Sequence, residues 1–244
     1  QKYLYRQQID SALIALEQVV EKRPEWAAPY SLRSEAYSRK GEMEASLNNI
    51  TRAIQLTEDS PRKRARLISN RAYYKEKAKD YEGALRDYEV ALRYDPNYAD
   101  AYFRRGNLFF FQKEFQMAIQ EYDKALQIRR YFPDALYNRA YLKYILGDFR
   151  GAMDDVNVVL KINYRFHPAL NFRALLQMEL KYYQGAIRDL NRAIEENPTL
   201  GIYYFNRARC YKLIGKQRKA CRDWRRAKRR GFQTVNLNFT VDCK

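Results

Sequence analysis

The sequence predicts an all-α fold, an α-solenoid of about six helix-turn-helix units, and three observations predict it. The first is composition. The 244 residues include 7 Pro and 9 Gly, few β-branched runs and many Ala, Leu, Tyr, Lys, Arg and Glu, a balance that favours helices over strands. The second is a fixed period. Small residues recur at Ser34, Ala72, Gly106, Ala140, Ala174 and Ala208, with steps of 38, 34, 34, 34 and 34 residues, and self-similarity of that kind marks a repeat array. The third is punctuation. Asp95-Pro96-Asn97, Phe132-Pro133, His167-Pro168 and Asn197-Pro198 separate the units, because proline suits a helix start and cannot continue a helix.

Taken in order, residues 3–23 read as a lone second helix that ends at Pro24. Its partner helix is missing, so an uncapped apolar face is expected there, covered by a longer parent or by an N-terminal contact. The chain begins at Gln1 without an initiator Met, as a processed or excised chain would. Repeats follow near 26–57, 64–94, 98–129, 133–162, 167–196 and 200–230, within a single domain over 1–231. A four-residue insertion near Thr57–Arg62 offsets the first repeat. Within a unit the helices are joined by tight turns such as Gly41-Glu42, Gly147-Asp148 and Gly215-Lys216, where Gly permits a left-handed exit. Lys79, Lys113 and Lys181 occupy the equivalent turn position in three units. Residues 232–244 form an expected extended tail, alternating through Val235, Leu237, Phe239 and Val241.

The small residues have a packing role. Two antiparallel helices approach closely only where the facing side chains are tiny, and large neighbours fill the space beside them. Second-helix anchors Ala84, Ala118, Ala186 and Ala220 are each followed four residues later by such a neighbour: Tyr88, Tyr122, Leu190 and Trp224. This thirty-four-residue helix-turn-helix resembles the tetratricopeptide repeat over roughly residues 3–230. The resemblance implies a right-handed solenoid and a non-enzymatic protein–protein scaffold.

The residue before each first-helix anchor is Arg: Arg33, Arg71, Arg105, Arg139, Arg173 and Arg207. Sixteen residues later stand Asn49, Asp87, Glu121, Asp155, Asp189 and Asp223. That spacing places each pair on facing sides of one hairpin, so the set reads as structural Arg–carboxylate bridges, with the planar guanidinium matched to a carboxylate.

Net charge is +17, from 46 Lys and Arg against 29 Asp and Glu. Such an excess points to anionic partners. It is densest in Pro61-Arg62-Lys63-Arg64-Ala65-Arg66 and in the last helix, where Arg218, Lys219, Arg222, Arg225, Arg226 and Arg229 form either a solvated face or an anionic docking patch. Nucleic acid is one candidate partner, although no nucleic-acid motif accompanies the charge. No stretch is long and apolar enough to span a membrane. Catalysis is not expected. The single histidine, His167, sits at a helix start where capping is its expected role, and there is no Gly-rich phosphate loop. No cofactor or metal site is expected, since Cys210, Cys221 and Cys243 lack zinc-site spacing. These cysteines read either as two buried thiols and a tail thiol, or as a tail stapled through Cys243.

In the family it resembles, the first helices line a concave groove, which implies where a peptide or protein segment would bind. Counting from the anchors gives Asn70 and Tyr73 on one helix, then Phe103, Arg104 and Asn107 on the next. Tyr137, Asn138 and Tyr141 follow, and then Asn206 and Arg209. Spaced amides hold an extended backbone, each offering donor and acceptor, and aromatic walls supply apolar contact. The set is similar to the Asn ladder of some family grooves and lacks the basic members of the carboxylate clamp. Two alternatives stand beside it: an anionic-partner binder acting through the basic C-terminal helix, with nucleic acid or acidic protein as partner, and a purely structural spacer in a larger protein. The basic C-terminal segment with its final Cys, and the Gln at the start, resemble cell-envelope repeat proteins of Bacteroidota. That implies a periplasmic or envelope location, with the cytoplasm as the alternative.

Overall fold

The computed structural model describes residues 2–58, 60–232 and 243, with side chains from Gln8 onward. The tail expected at 232–244 lies outside the described residues, apart from Phe232 and Cys243. Thirteen α-helices are found among the described residues, joined by turns and without a strand. They fall into two compact units, Gln1–Arg130 and Tyr131–Lys244. In the first, α1 (Lys2–Lys22) precedes three antiparallel hairpins: α2 (Ala27–Lys40) with α3 (Met43–Gln55), α4 (Pro61–Lys77) with α5 (Tyr81–Tyr94), and α6 (Ala99–Phe111) with α7 (Phe115–Ile128). In the second, α8 (Pro133–Ile145) pairs with α9 (Phe149–Ile162), α10 (His167–Glu179) with α11 (Tyr183–Glu196), and α12 (Gly201–Leu213) with α13 (Gln217–Arg229). Within each unit the hairpins pack consecutively, as in an α-solenoid of repeat units.

The helix ends follow local chemistry. Pro61, Pro133 and Pro168 lie in the first turns of α4, α8 and α10, where the missing N–H costs nothing. Ser60, Asp80 and Asp148 cap α4, α5 and α9 by accepting from the backbone N–H three residues on. Hairpin turns pass through the left-handed region at Gly41, Gly147 and Gly215, and also at Lys79, Lys113 and Lys181, whose φ values are 65°, 64° and 62°. The lysines adopt the glycine conformation, at a conformational cost of about 1 kcal/mol each.

The core sits between the two helices of each hairpin. Ser34, Ala72, Gly106, Ala140, Ala174 and Ala208 are buried, and so are their large neighbours Tyr88, Tyr122, Leu190 and Trp224. At Gly106 an added Cβ would lie 2.8 Å from the Tyr122 ring, so the helices pack there with no room for a larger residue.

The Arg–acid ladder forms in five hairpins. Arg71 meets Asp87 with two bonds of 2.8 Å, and Arg105 meets Glu121 at 2.7 Å. Arg139 pairs with Asp155 at 2.9 and 2.5 Å, Arg173 with Asp189 at 2.7 Å through both nitrogens, and Arg207 with Asp223 at 2.6 and 2.9 Å. Three of these arginines also reach the preceding helix, Arg71 to Thr51 at 3.5 Å, Arg173 to Asn157 at 3.0 Å and Arg207 to Asn191 at 2.7 Å. Each of the three therefore ties three helices together. In the first hairpin Asn49 turns back to the Ala45 carbonyl, and Arg33 pairs with Glu17 of α1 at 2.6 Å.

Candidate functional site

In the first unit, α2, α4 and α6 surround a pocket of about 360 Å3 lined by Glu35, Ser38, Arg39, Asn70, Tyr73, Tyr74, Lys77 and Arg104. Tyr73, 37% exposed, is its aromatic wall. Two cations lie over that ring: the Arg104 guanidinium at 4.8 Å and the Lys77 ammonium at 4.9 Å from its centre, a favourable arrangement for each. Lys77 also reaches Ser38 Oγ at 3.3 Å, while Arg39 pairs with Glu35. One terminal nitrogen of Arg104 is buried without a hydrogen-bond partner among the described residues. Behind the pocket the Tyr88 hydroxyl donates to Glu76, whose carboxyl burial pushes up despite that bond and the Arg104 charge. Asn70 is half-buried on the pocket wall. Phe103 and Asn107 are both half-buried and turn towards α7. The Phe103 ring lies 6.0 Å from that of Tyr122, and Asn107 Oδ1 accepts from the Tyr122 hydroxyl at 2.7 Å.

The second unit has a different face. Tyr137, Tyr141 and Tyr144 of α8 surround Phe172 of α10 at ring distances of 5.5, 6.1 and 5.7 Å. Tyr141 is 44% exposed and Phe172 only 4%, so the surface is a tyrosine layer over a buried phenylalanine. Burial pushes the Tyr137 hydroxyl up. Asn138 is half-buried on α8. Asn206 departs from expectation: it is 2% exposed and donates to Asn171 Oδ1 at 2.9 Å. It is a bridge between α12 and α10 and presents no amide to a partner. Arg209 is half-buried, with its guanidinium 5.9 Å from the Phe205 ring. His167 also differs from its expected capping role. The N-cap of α10 is Phe166, and His167 Nδ1 lies 2.6 Å from the Tyr203 hydroxyl, a group that burial pushes up to about 12.

On α13, Arg218, Lys219, Arg222, Arg225 and Arg229 are exposed, while Arg226 is half-buried 3.7 Å from Asp223. Cys221 of this helix is joined to Cys243 by a disulfide, and Cys210 is a buried free thiol pushed up to about 12 by that burial. Of the two cysteine readings, the stapled tail is the one found.

Sequence counting missed Ser38, which lies four residues after its anchor at the last position counted but was not singled out, and Lys77, one residue further on at five after. A lysine one turn past an exposed tyrosine on the same helix was the available signal.

Sequence models of the family match in three places: one described as TPR repeat at residues 71–113, and one described as tetratricopeptide repeat at each of 99–132 and 167–200. Among curated proteins, none matches the chain. Solved structures with this fold include the C-terminal part of a TPR repeat-containing protein from Cytophaga hutchinsonii. It has 16% identity and a TM-score of 0.71, and the match covers 96% of this chain and 95% of that one. A tetratricopeptide repeat protein from Parabacteroides merdae matches at 20% identity and TM-score 0.62, over 96% of this chain and 91% of its own. YrrB, described as a TPR protein with an unusual peptide-binding site, matches at 18% identity and TM-score 0.57, over 91% and 94%.

Proposed function

We propose that this chain, a tetratricopeptide-repeat protein, is a non-enzymatic scaffold that takes an extended segment of another protein on its first-helix faces. Tetratricopeptide-repeat proteins in general mediate protein–protein interactions, and YrrB is described as binding peptide. The observation that carries the reading is the α2–α4–α6 pocket. It combines an exposed aromatic ring, an amide and an arginine held over that ring, the mixture of apolar anchor and oriented polar groups that interface hot spots use. Phe103 and Asn107, on the same helix as Arg104, face Tyr122 of α7 instead. In the second unit the tyrosine layer of Tyr137 and Tyr141, with Asn138 and Arg209, offers a more apolar contact.

The test is selection of binders from a displayed library of unstructured peptides, followed by calorimetry on wild type and on Tyr73→Ala, Asn70→Ala and Arg104→Ala chains. Loss of an anchor should weaken binding at least tenfold, about 1.4 kcal/mol or more. Selected peptides that bind all three variants as tightly as wild type would sink the pocket as the working site. A second reading, an anionic partner on the basic C-terminal helix, is favoured by the concentration of charge there.

A further inference from the structure

Residues 201–230, the α12–α13 hairpin with its turns, hold twelve Lys and Arg against one acid, Asp223, and so supply +11 of the chain's +17. That acid faces inward. It is fully buried and takes two bonds from Arg207. The outer face of α13 therefore carries positive charge alone. Arg218, Arg222, Arg225 and Arg229 are all exposed. Their spacing puts them within about 60° of one another around the helix, in a stripe about 16 Å long. Ala220, Trp224 and Ala227, on the opposite side, are buried.

This stripe works against the helix that bears it, because like charges three and four residues apart repel. On α11 the exposed cations Arg188 and Arg192 are followed by Glu195 and Glu196, and α13 has no such compensation. What holds α13 is packing, with the Trp224 and Phe205 rings 5.8 Å apart, and the Cys221–Cys243 disulfide at the edge of the stripe. The Arg225 guanidinium donates to the Cys243 carbonyl at 3.4 Å, so the staple and the stripe meet.

Staple and stripe together narrow the partner. Structural disulfides persist in oxidising compartments, and a layer of acidic phospholipid headgroups is an anionic surface that attracts a basic stripe. Single-stranded nucleic acid would need aromatic platforms for its bases, and the tryptophan of α13 is 8% exposed. No large apolar side chain is exposed on α13, so contact would be by charge, without insertion.

We propose that the outer face of α13 docks peripherally on anionic phospholipid headgroups through Arg218, Arg222, Arg225 and Arg229, leaving the first-helix faces available to a protein partner. The test is co-sedimentation of the oxidised full chain with vesicles of mixed phosphatidylglycerol and phosphatidylcholine and, in parallel, of phosphatidylcholine alone. The chain should bind only the mixed vesicles, and more weakly as salt is raised. Each arginine should contribute about fivefold, so Arg218→Gln/Arg222→Gln should lose about 25-fold. Arg218→Lys/Arg222→Lys should retain binding, and circular dichroism and the Cys221–Cys243 bond should be unchanged in both variants. If the glutamine pair fails to fold, Arg225→Gln/Arg229→Gln reads the same stripe. Equal binding to both kinds of vesicle would overturn the proposal, as would unchanged binding by the glutamine variants. So would a loss in the lysine variant as large as in the glutamine one, or tighter binding to duplex DNA or polyglutamate than to the mixed vesicles at equal salt.

Discussion

In the α2–α3 hairpin the close approach is made by Ser34 and Ser46, whose hydroxyls donate to each other's backbone carbonyls at 2.8 Å. In the α10–α11 hairpin the same positions are Ala174 and Ala186, both fully buried. The first hairpin turns through Gly41 at φ 89° and the other through Lys181 at φ 62°. The larger difference lies in the Arg–acid ladder. Arg173 joins Asp189 across the hairpin and Asn157 on the preceding helix, and Gln177 adds a third donor to Asp189 at 3.0 Å. The first hairpin has Asn49 at that point, and its Arg33 leans on Glu17, which is half exposed. Close packing can thus be maintained by hydroxyls or by methyl groups, while the tie to the preceding helix runs through an arginine held by a buried carboxylate in one hairpin and through a half-exposed ion pair to α1 in the other. The α10–α11 hairpin should accordingly open with its neighbours, and the α2–α3 hairpin more independently.

The largest expected effect breaks this contrast at its centre. Asp189→Ala leaves Arg173 without its carboxylate and should cost about 3 kcal/mol in denaturant unfolding, whereas Asn49→Ala should cost about 0.5 kcal/mol or less. Equal costs would show that the bridge is not what distinguishes the hairpins. Next is the turn. Lys181→Gly relieves a left-handed lysine and should raise stability by about 1 kcal/mol, and Gly41→Lys should lower it by a similar amount. A Cβ at Gly41 meets nothing within 4 Å, so that loss would be purely conformational. The smallest effect is non-additive. Ser46→Ala removes one of the reciprocal bonds at about 1 kcal/mol. Adding Ser34→Ala recreates the Ala/Ala contact of the other hairpin and should return the total to within about 0.5 kcal/mol of wild type. Additive losses in the double variant would mean that the hydroxyl pair has no apolar equivalent here.

The repeat fold was legible in the sequence because it rests on two constraints: a tiny residue where helices touch, which recurs every period, and Arg sixteen residues before an acid, which recurs in all but the first. Ala174, Asp189 and their counterparts could be read from spacing alone because one geometry serves every unit. The candidate faces were less legible, since orientation from the anchor gives direction and not cover. Asn70 and Asn206 hold the same register. Asn70 lines a pocket, while Asn206 is covered and bound to Asn171. What decides is the neighbouring helix, which offers Asn171 in one case and an open wall in the other. The choice among cysteine pairings was likewise beyond spacing, because it depends on which thiol the hairpin buries.

That burial has a consequence for how the chain oxidises. Three cysteines permit three pairings, yet only a thiolate attacks, and it must be reached. Cys210 is fully buried in α12, its thiol pushed up to about 12 by that burial. Once α12 has packed, Cys210 neither ionises near neutral pH nor meets an oxidant, and Cys221 and Cys243 have only each other. The helical core thus acts as its own proofreader: if packing precedes oxidation the chain has a single covalent outcome, and the mispaired forms belong to chains oxidised before they fold.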